Sequence, residues 1–586
     1  MIGDLQSFIS LLRKERDIVE ISAPVDARLE AAEIHRRIID EGGPALLFTN
    51  IKGAAFPLVT NLFGTQKRME LAFGKRPEKL VQEIAALPHE LLPPTLSKLW
   101  GKRKLFADLA RIGLKRSANG AVTEVADKPA RLTRLPLLTT WEEDGGPFIT
   151  LPLVYTEHPT LGIHNLGMYR IQRFDDDTTG LHCQIGKGAG FHLAEAKKLG
   201  QNLPVNIHIG GPPALILSAI APLPENVPEL LLASLVLGKR LPLAHNPFGP
   251  LPVVADAEFV LVGTVNPNEF RPEGPFGDHY GYYSLKHDYP VFRCAGLLHR
   301  KNAVCAATVV GKPKQEDFFI GDYLQSLLSP LFPIVMPAVE DLWSYGETGF
   351  HSLSSAVVKQ RYKREAMASA FRILGEGQLS LTKFLLLVDK KMDLKDFRSL
   401  LTYILARADF RTDLYVFSNL AMDTLDYTGP RVNEGSKGVL LGVGDPIREL
   451  PHTFSQELPP GISEAVVYCP GCLVVAGPPA KDEPLLGAVL SKLPHFKNWP
   501  LVVLVDDAQK TCRTSSTFLW TTFTRFEPGA DIYAAKKEIV RNHLSYEGPI
   551  LIDARMKPSY PAELECDPAT KRLVDTRWKE YFSASR

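Results

Sequence analysis

The sequence predicts an α+β protein of several domains, because the hydrophobic periodicity changes twice along the chain. Helical and strand patterns alternate up to about residue 120, short strands separated by turns follow to about 330, and alternation then returns. At 586 residues the chain is too long for one hydrophobic core. We predict an N-terminal α/β domain (1–120), a central β-rich barrel or sandwich (121–330), a C-terminal α/β domain (331–480) and a C-terminal extension (481–586).

The first domain opens with a helix that Asp4 can cap, because Leu5, Phe8, Ile9 and Leu12 follow at helical spacing. A second helix is predicted at 29–41, where two glycines end it. Strands are predicted at 18–21, 45–51 and 57–60. Helices and strands that alternate in this way are typical of an α/β domain.

The central region has the spacing of short strands, with turns such as Asp144-Gly145-Gly146-Pro147 between them. The strands are predicted at 122–125, 149–156, 167–172, 205–209, 253–265 and 291–310. One helix is predicted at about 192–199, and another between Pro228 at its first turn and Gly238 just past its end.

The third region contains a repeated pattern. A buried-type strand at 383–389 is followed by Arg407-x-Asp409-x-x-x-Asp413-Leu414-Tyr415, and a strand at 502–506 by Arg525-x-Glu527-x-x-x-Asp531-Ile532-Tyr533. The shared spacing indicates a duplicated βαβ element. We expect its second copy to extend the same sheet or to support an oligomer contact.

Composition narrows the class of protein. The net charge is +1, with 67 basic and 66 acidic residues, so the composition does not indicate a protein that binds nucleic acid. The charged N-terminus does not resemble a signal peptide, and we expect a cytoplasmic protein. Among seven cysteines only Cys469-Pro470-Gly471-Cys472 has the spacing of metal ligands or a redox pair, and ordinary turn cysteines are the favoured interpretation.

A glycine-rich loop at 273–283 carries two carboxylates, Glu273 and Asp278. No helical or strand period places residues five apart on one face, but a Pro-Gly turn can fold them toward one point. If the loop keeps a carboxyl group away from water, the pKa of that group rises and it can deliver a proton near neutral pH. The alternative is an ordinary solvated turn.

Arg170 lies in the predicted strand 168–172, where Met168, Arg170 and Gln172 would share one face. An inward arginine requires carboxylate partners, and Glu273 and Asp278 are candidates. In the opposite orientation Arg170 faces solvent and Arg173 points inward. Spacing alone does not decide between these two orientations.

Asn165, His192 and Glu229 form a second candidate group. An amide oxygen, an imidazole nitrogen and a carboxylate together suit a divalent ion such as Mn or Mg. Each residue also has an ordinary explanation: Asn165 in turn chemistry, His192 at a helix start, and Glu229 at the positive end of a helix dipole.

Several motifs, in this order, resemble those of the UbiD-like decarboxylases, which use prenylated FMN to decarboxylate unsaturated or aromatic acids reversibly. The motifs are Asn61-Leu62-Phe63-Gly64, Asp144-Gly145-Gly146-Pro147-Phe148-Ile149-Thr150, Asn165-Leu166-Gly167-Met168-Tyr169-Arg170, Pro228-Glu229, Glu273-Gly274-Pro275-Phe276-Gly277-Asp278, Thr382-Lys383-Phe384 and Gly435-Ser436-Lys437. They cover most of residues 1–445, whereas the extension resembles that of long members associated with quinone biosynthesis.

The resemblance implies a fold and a set of roles. The central domain would be a split β-barrel like that of flavin reductases, and the C-terminal α/β domain would make a homodimer or larger homo-oligomer. Arg170, Glu273 and Asp278 would form the catalytic network. Asn165, His192 and Glu229 would bind Mn or Mg beside a potassium ion. Met168, Tyr169, Arg170 and Lys383 would join those ligands in binding the cofactor.

The expected substrate is a hydroxyarene carboxylate, prenylated or not, in menaquinone or ubiquinone biosynthesis, with a flavin prenyltransferase supplying the cofactor. A prenylated substrate would bring the enzyme to the periphery of the inner membrane. Two alternatives stay open: decarboxylation of a small aromatic or heteroaromatic acid, and an oxidoreductase of the split-barrel type that uses ordinary FMN.

Overall fold

The computed structural model describes residues 2–183, 188–223, 227–312 and 314–583. The chain forms two compact units. Unit 1 comprises Met1–Leu327 and Glu563–Arg586, and unit 2 comprises Leu328–Ala562. The chain therefore leaves unit 1, builds all of unit 2 and returns to complete unit 1. The division into four domains stays a prediction.

Unit 1 contains helices α1 to α10 and a C-terminal helix. The helices are Leu5–Lys14, Glu30–Asp40, Gln66–Phe73, Arg76–Leu91, Leu96–Gly101, Arg103–Leu109, Gly188–Lys198, Pro213–Ala219, Glu229–Leu237, Glu316–Leu328 and, at the C-terminus, Pro568–Tyr581.

Strands β1 to β16 also belong to unit 1. They are Ile18–Ile21, Ala45–Phe48, Leu58–Thr60, Leu114–Ser117, Val125–Asp127, Phe148–Ile149, Pro152–Glu157, His164–Gly167, Ile171–Gln172, Thr178–Gly180, Leu203–Ile209, Leu241–Ala244, Val253–Val254, Phe259–Glu273, His287–His299 and Cys305–Ala306.

The main sheet of unit 1 is seven-stranded, in the order β10-β15-β14-β11-β7-β8 with β5 beside β15. Its neighbours pair antiparallel. Among the described strands this sheet is open rather than closed into a barrel. The predicted split barrel is therefore not confirmed, although the β-rich character of the region is. A four-stranded sheet, β1-β2-β3-β16, completes the N-terminal part, and its strands and α2 contribute to the same hydrophobic core as the main sheet.

Most predicted elements of unit 1 are found within a few residues of their predicted bounds. The first helix begins at Leu5, with the Asp4 carboxylate accepting a hydrogen bond from the Ser7 N–H, and α9 ends at Gly238 in the left-handed conformation. The strand predicted at 122–125 is wrong, because Ala121–Thr123 is a 3-10 turn.

The strand predicted at 167–172 is interrupted. It ends at Gly167 and resumes at Ile171, so Arg170 lies in an irregular segment. The reason is packing by Tyr169: a Cβ atom on Gly167 would lie 2.3 Å from the Tyr169 hydroxyl oxygen. The missing side chain allows the tyrosine ring to fold back on the strand.

Unit 2 consists of two five-stranded sheets with helices α11 to α18. The helices are Phe332–Val335, Glu365–Leu374, Phe397–Leu405, Phe410–Asp413, Leu486–Leu490, Ala508–Cys512, Ser515–Arg525 and Pro528–Asp531. Strands β17 to β26 are Val339–Ser344, Leu353–Val358, Phe384–Val388, Leu414–Ala421, Glu434–Gly442, Glu464–Cys469, Cys472–Ala476, Leu501–Val505, Ile532–Val540 and His543–Asp553.

The two sheets of unit 2 have the same topology. Their orders, β17-β18-β19-β21-β20 and β22-β23-β24-β26-β25, match position by position, and so do their parallel and antiparallel pairings. The repeated motif also makes the same local bond: the Asp409 N–H donates to Asp413 and the Glu527 N–H to Asp531, each at 2.8 Å. The second copy thus forms its own sheet instead of extending the first. Duplication as its origin stays a prediction.

The helical stretch Glu316–Val335 has the length and apolar composition of a membrane span, with 22% of its most apolar window buried. A core helix of a globular protein meets the same description, so this single stretch does not establish a span. The described cysteines, including Cys469 and Cys472 in the β22–β23 hairpin, are free thiols.

Candidate active site

The candidate site lies where the long hairpin of β14 and β15 opens into the glycine-rich loop. Glu273 is the last residue of β14 and pairs with His287 of β15. Beyond it the loop folds back on itself, with a bridge between Gly277 and Tyr283 and a hydrogen bond from the Asp278 N–H to the Tyr282 carbonyl oxygen. The loop is therefore a second, smaller hairpin rather than a solvated turn.

The Arg170 side chain lies between the two predicted carboxylates. Its Nε and Nη2 atoms donate to the two oxygens of Glu273, each at 2.9 Å, and its Nη1 atom donates to Asp278 at 2.5 Å. Nη2 also donates to Ser284 Oγ at 3.0 Å, and the guanidinium lies 5.0 Å from the centre of the Phe276 ring. The structure thus brings the three residues together. Of the two predicted orientations, Arg170 adopts the one in which its side chain points inward to the carboxylates.

Both carboxylates are held in the ionised form. Burial by itself would raise the pKa of Glu273, but hydrogen bonds from Arg170 and His182 outweigh it and lower that pKa to about 2. Burial likewise opposes ionisation of Asp278, yet the His279 hydrogen bond and the Arg170 charge hold its pKa well below the usual range. The predicted rise in pKa is therefore wrong for this arrangement, because it considered burial without the partners.

Two histidines complete the network, and the sequence analysis missed both. The His279 Nδ1 atom is 2.7 Å from Asp278 Oδ1, and His182 Nδ1 is 3.4 Å from Glu273 Oε2. The ring centre of Tyr289 lies 4.2 Å from that of His182. His279 was detectable in principle, because it directly follows Asp278. His182 and Tyr289 gave no signal, since their sequence separations from Arg170 fit no motif.

Asp144 fixes the small hairpin from one side. Its Oδ1 atom accepts the Gly277 N–H at 2.8 Å, while Oδ2 accepts the N–H groups of Thr140 and Trp141. Gly277 must lack a side chain here, because a Cβ atom would lie 2.0 Å from Trp141 Cδ1. The Gln172 side chain similarly accepts the Gly274 N–H at 2.8 Å. These bonds determine where Asp278 points.

Strand β8 gathers the residues predicted to bind a metal. Asn165 pairs across the sheet with Thr156, whose hydroxyl is 2.9 Å from His192 Nδ1. The next residue, Leu166, donates its N–H to Glu229 Oε2 at 2.9 Å. Asn165 thus lies in β8, Glu229 is bonded to the next residue of that strand, and His192 is bonded to the cross-strand partner of Asn165.

The chemistry of this group fits a divalent cation. Burial, followed by the nearby His158 and His164, lowers the pKa of His192 to about 4, so its imidazole is neutral and able to bind a metal. The buried Asn165 Nδ2 atom has no hydrogen-bond partner among the described residues. Within that part of the chain, no three His, Cys, Asp or Glu side chains form a metal cluster. The predicted set differs from such a cluster because it takes one oxygen from an amide.

The remaining predicted cofactor residues lie in two places. Met168 and Tyr169 are half-buried beside Arg170. Lys383 belongs to unit 2, where it is buried and its ammonium group lies 2.8 Å from Asp426. Burial lowers the pKa of Lys383, while Asp426 opposes that change.

Family models match most of the chain: the N-terminal domain of 3-octaprenyl-4-hydroxybenzoate carboxy-lyase at 9–87, its Rift-related UbiD domain at 114–313 and its C-terminal domain at 318–442. A Chlamydia pneumoniae protein, named as one of the subunits of 4-hydroxybenzoate decarboxylase, is 50% identical over 578 residues. These residues are 99% of this chain and 98% of that protein.

Solved structures with the same fold include the closed form of vanillic acid decarboxylase from Sedimentibacter hydroxybenzoicus. It has a TM-score of 0.68 and 23% identity, and the match covers 78% of this chain and 96% of that one. An evolved dimeric form of the UbiD-class enzyme HmfF from Pelotomaculum thermopropionicum, in complex with prFMN, has a TM-score of 0.60 and 21% identity, with 78% and 97% covered. These likenesses confirm a mixed α/β fold of several domains.

We predict that Glu273→Gln removes an acid-sensitive part of the stability. Because the pKa of Glu273 is lowered to about 2 from 4.5, its ionised form stabilises the fold above about pH 4.5, and this contribution disappears as the pH falls toward 2. At neutral pH the variant should lose about 3 kcal/mol, since one partner of a buried ion pair is removed. The difference in melting temperature between the two proteins should narrow steadily from pH 7 to pH 3.

The matched control is Glu20→Gln, which breaks the exposed pair of Glu20 with Arg13. Exposed pairs contribute on the order of 0.5 kcal/mol, so this variant should follow the wild type at every pH. A Glu273→Gln variant as stable as the wild type at neutral pH would contradict the assignment of a stabilising buried ion pair.

Proposed function

The chain belongs to the UbiD family of carboxy-lyases, and from this premise we propose that it removes the carboxyl group of a hydroxyarene carboxylic acid. The observation that carries the proposal is the guanidinium of Arg170, buried between Glu273 and Asp278. Two names support the substrate class, since the family description and the Chlamydia pneumoniae protein both specify a hydroxybenzoate. We place the reaction in quinone biosynthesis, because the family description specifies a prenylated acid.

The reaction needs a cofactor that this chain's side chains do not replace. Loss of CO2 from an aromatic carbon leaves an electron pair, and prenylated FMN supplies the electron sink when bound. Asn165, His192 and Glu229 would hold a divalent ion, Mn or Mg, at the cofactor phosphate, with potassium beside it. Met168 and Tyr169 would line the flavin. A flavin prenyltransferase would supply the cofactor, and the enzyme would be a homo-oligomer.

The bonds of Arg170 suggest how the substrate is accepted. Glu273 holds the guanidinium through two parallel bonds, whereas Asp278 holds it through one. A substrate carboxylate that competes for Nη1 would therefore displace Asp278 and leave Glu273 in place. Asp278 would then lose its cationic partner and lie beside a second negative charge, and both changes raise its pKa.

Asp278 then has the position of the proton donor. In the balanced reaction, the bond between the aromatic carbon and the carboxylate breaks, CO2 leaves, and a proton from Asp278 replaces it on that carbon. His279, 2.7 Å from Asp278 Oδ1, would return a proton from solvent to the carboxylate. Burial raises the pKa of Asp317 to about 6, so the Asp317 carboxyl gains and loses its proton near neutral pH. The charge of Asp317 interacts with both His279 and Asp278.

We predict that Asp278→Asn folds and binds cofactor but that its turnover falls on the order of a hundredfold or more. The amide keeps the size of the carboxyl group and cannot donate a proton of similar acidity. The measurement is CO2 release and deuterium incorporation from heavy water, using enzyme produced with a flavin prenyltransferase and 4-hydroxybenzoate or its prenylated form as substrate. Mass spectrometry of the bound cofactor distinguishes prenylated from ordinary FMN.

The control is Asp288→Asn, an exposed acid on β15 of the same hairpin, which should leave the rate unchanged. CO2 release at the wild-type rate by Asp278→Asn would remove Asp278 from the role of proton donor. A wild type that carries prenylated FMN and decarboxylates neither form of the acid would overturn the proposed substrate class.

We further predict that Glu229→Ala loses metal and flavin together, because the carboxylate supplies one of three ligands. Metal content by mass spectrometry and flavin absorbance after desalting are the measurements. Glu195→Ala, on helix α7 and paired with the exposed Lys198, is the control and should retain both. Unchanged flavin absorbance in Glu229→Ala would count against the metal site.

A further inference from the structure

A short segment of unit 1 exposes large apolar side chains that a water-facing surface does not normally carry. In helix α5 the residues Leu96, Leu99 and Trp100 follow at spacings of three and four, so they share one face. Leu96 is 87% exposed and Trp100 is 72% exposed. Leu92 and Phe106, before and after this helix, are exposed as well. A soluble amphipathic helix would turn this stripe toward the core.

Basic side chains surround the apolar stripe. Lys98, Arg103 and Lys104 have no acidic partner among the described residues, while Lys102 pairs with Glu90 and Arg111 with Asp108. Arg103 also lies over the Trp100 ring, at 5.5 Å from its centre. Leucine and tryptophan on one face with lysine and arginine beside them are typical of a helix that lies in the interface of a membrane.

We propose that residues 92–106, the docking segment, bind the surface of an anionic lipid bilayer. The positive charge favours this occupant over a second copy of the chain, because two such segments facing each other would repel. The exposed tryptophan and leucines would enter the interfacial layer, where their apolar parts leave water. The inference deepens the proposed function, since a prenylated acid would be taken from the membrane, but binding itself requires neither substrate nor cofactor.

The experiment is flotation of the full-length protein with vesicles of phosphatidylcholine, with and without phosphatidylglycerol. We expect binding to the phosphatidylglycerol vesicles and its release by salt. Arg103→Gln with Lys104→Gln should weaken binding at least tenfold, because each substitution removes a positive charge that attracts the anionic surface. Leu96→Ser with Trp100→Ser should weaken it at least as much.

Matched controls lie elsewhere on the chain. Lys390→Gln with Lys391→Gln removes an exposed basic pair, and Phe371→Ser removes an aromatic ring that is 60% exposed. Both should bind vesicles like the wild type. No binding, equal binding to both vesicle types, or unchanged binding of the docking-segment variants would overturn the proposal. So would a wild-type oligomer that Leu96→Ser with Trp100→Ser dissociates, since the segment would then join copies of the chain. Vesicle binding without decarboxylation would remove the proposed function and leave this inference standing.

A second, independent observation concerns the first residues after unit 2. Glu563 forms an antiparallel bridge with Tyr282, and the Leu564 N–H donates to the Gly281 carbonyl oxygen at 3.0 Å. The Leu564 side chain is buried with Trp141 and Tyr283. Residues 563–564 thus add a third segment to the hairpin that carries Asp278.

The following helix anchors this segment. The Tyr581 hydroxyl donates to Glu30 at 2.6 Å, and Arg37 pairs with Asp575 at 2.6 Å, which fixes the C-terminal helix against α2. We infer that Leu564 is a positioning residue for Asp278, acting through Gly281 and Tyr282. Because Asp278 is the proposed proton donor, loss of the Leu564 side chain should lower kcat more than it changes KM.

Leu564→Asp and the milder Leu564→Ala test this inference. Amides of residues 276–284 should exchange hydrogen faster in both variants, and kcat should fall about tenfold or more through misplacement of Asp278. Leu564→Met should restore both properties, and Glu565→Gln, at an exposed position of the same segment, should change neither. Unchanged exchange in Leu564→Asp would overturn the inference. Faster exchange in an enzyme without decarboxylase activity would leave it standing and count against the proposed function.

Discussion

The site of this protein depends on one constraint: a buried guanidinium must be neutralised by carboxylates that come from a distant part of the chain. Arg170 and Glu273 are each almost fully buried at their charged ends. Unpaired, either charge would be strongly destabilising in this environment. Two parallel bonds therefore tie the segment after β8 to the end of β14, and the positions of Asp278 and Phe276 follow from that tie.

The orientation of Asp278 depends on hydrogen bonds from the backbone of the small hairpin and on a glycine that leaves room for a neighbouring ring. The small hairpin satisfies its own N–H groups partly through side chains from other segments, namely Asp144 and Gln172. Glycine is required at 277 because the Trp141 ring occupies the space of a side chain. Ser284 bonds both the arginine and the Phe276 N–H. Asp278 is therefore oriented by a continuous set of contacts and not by a flexible loop.

Part of this arrangement could be predicted from the sequence. Local signals gave the bounds of α1, α2 and α9, because caps and glycine stops act within a few residues. The order of the motifs predicted the family and marked Arg170, Glu273 and Asp278 as candidate residues of one site. The direction in which the carboxylate pKa values shift could not be predicted, because it depends on His279 and Arg170 lying within hydrogen-bond distance. The interruption at 168–170 was equally hidden, since it results from the Tyr169 ring packing on Gly167.

The same limit applies to the C-terminal residues. Their sequence is polar and gives no sign of a role, and the family models end at residue 442. Yet Leu564 shares a buried cluster with Trp141 and Tyr283, whose neighbours in the chain hold Gly277 and Asp278. Apolar residues scattered through a polar sequence can enter a core, and the main chain supplies further bonds. Its contribution then becomes visible only from its partner, which here is the edge of the hairpin at Gly281 and Tyr282.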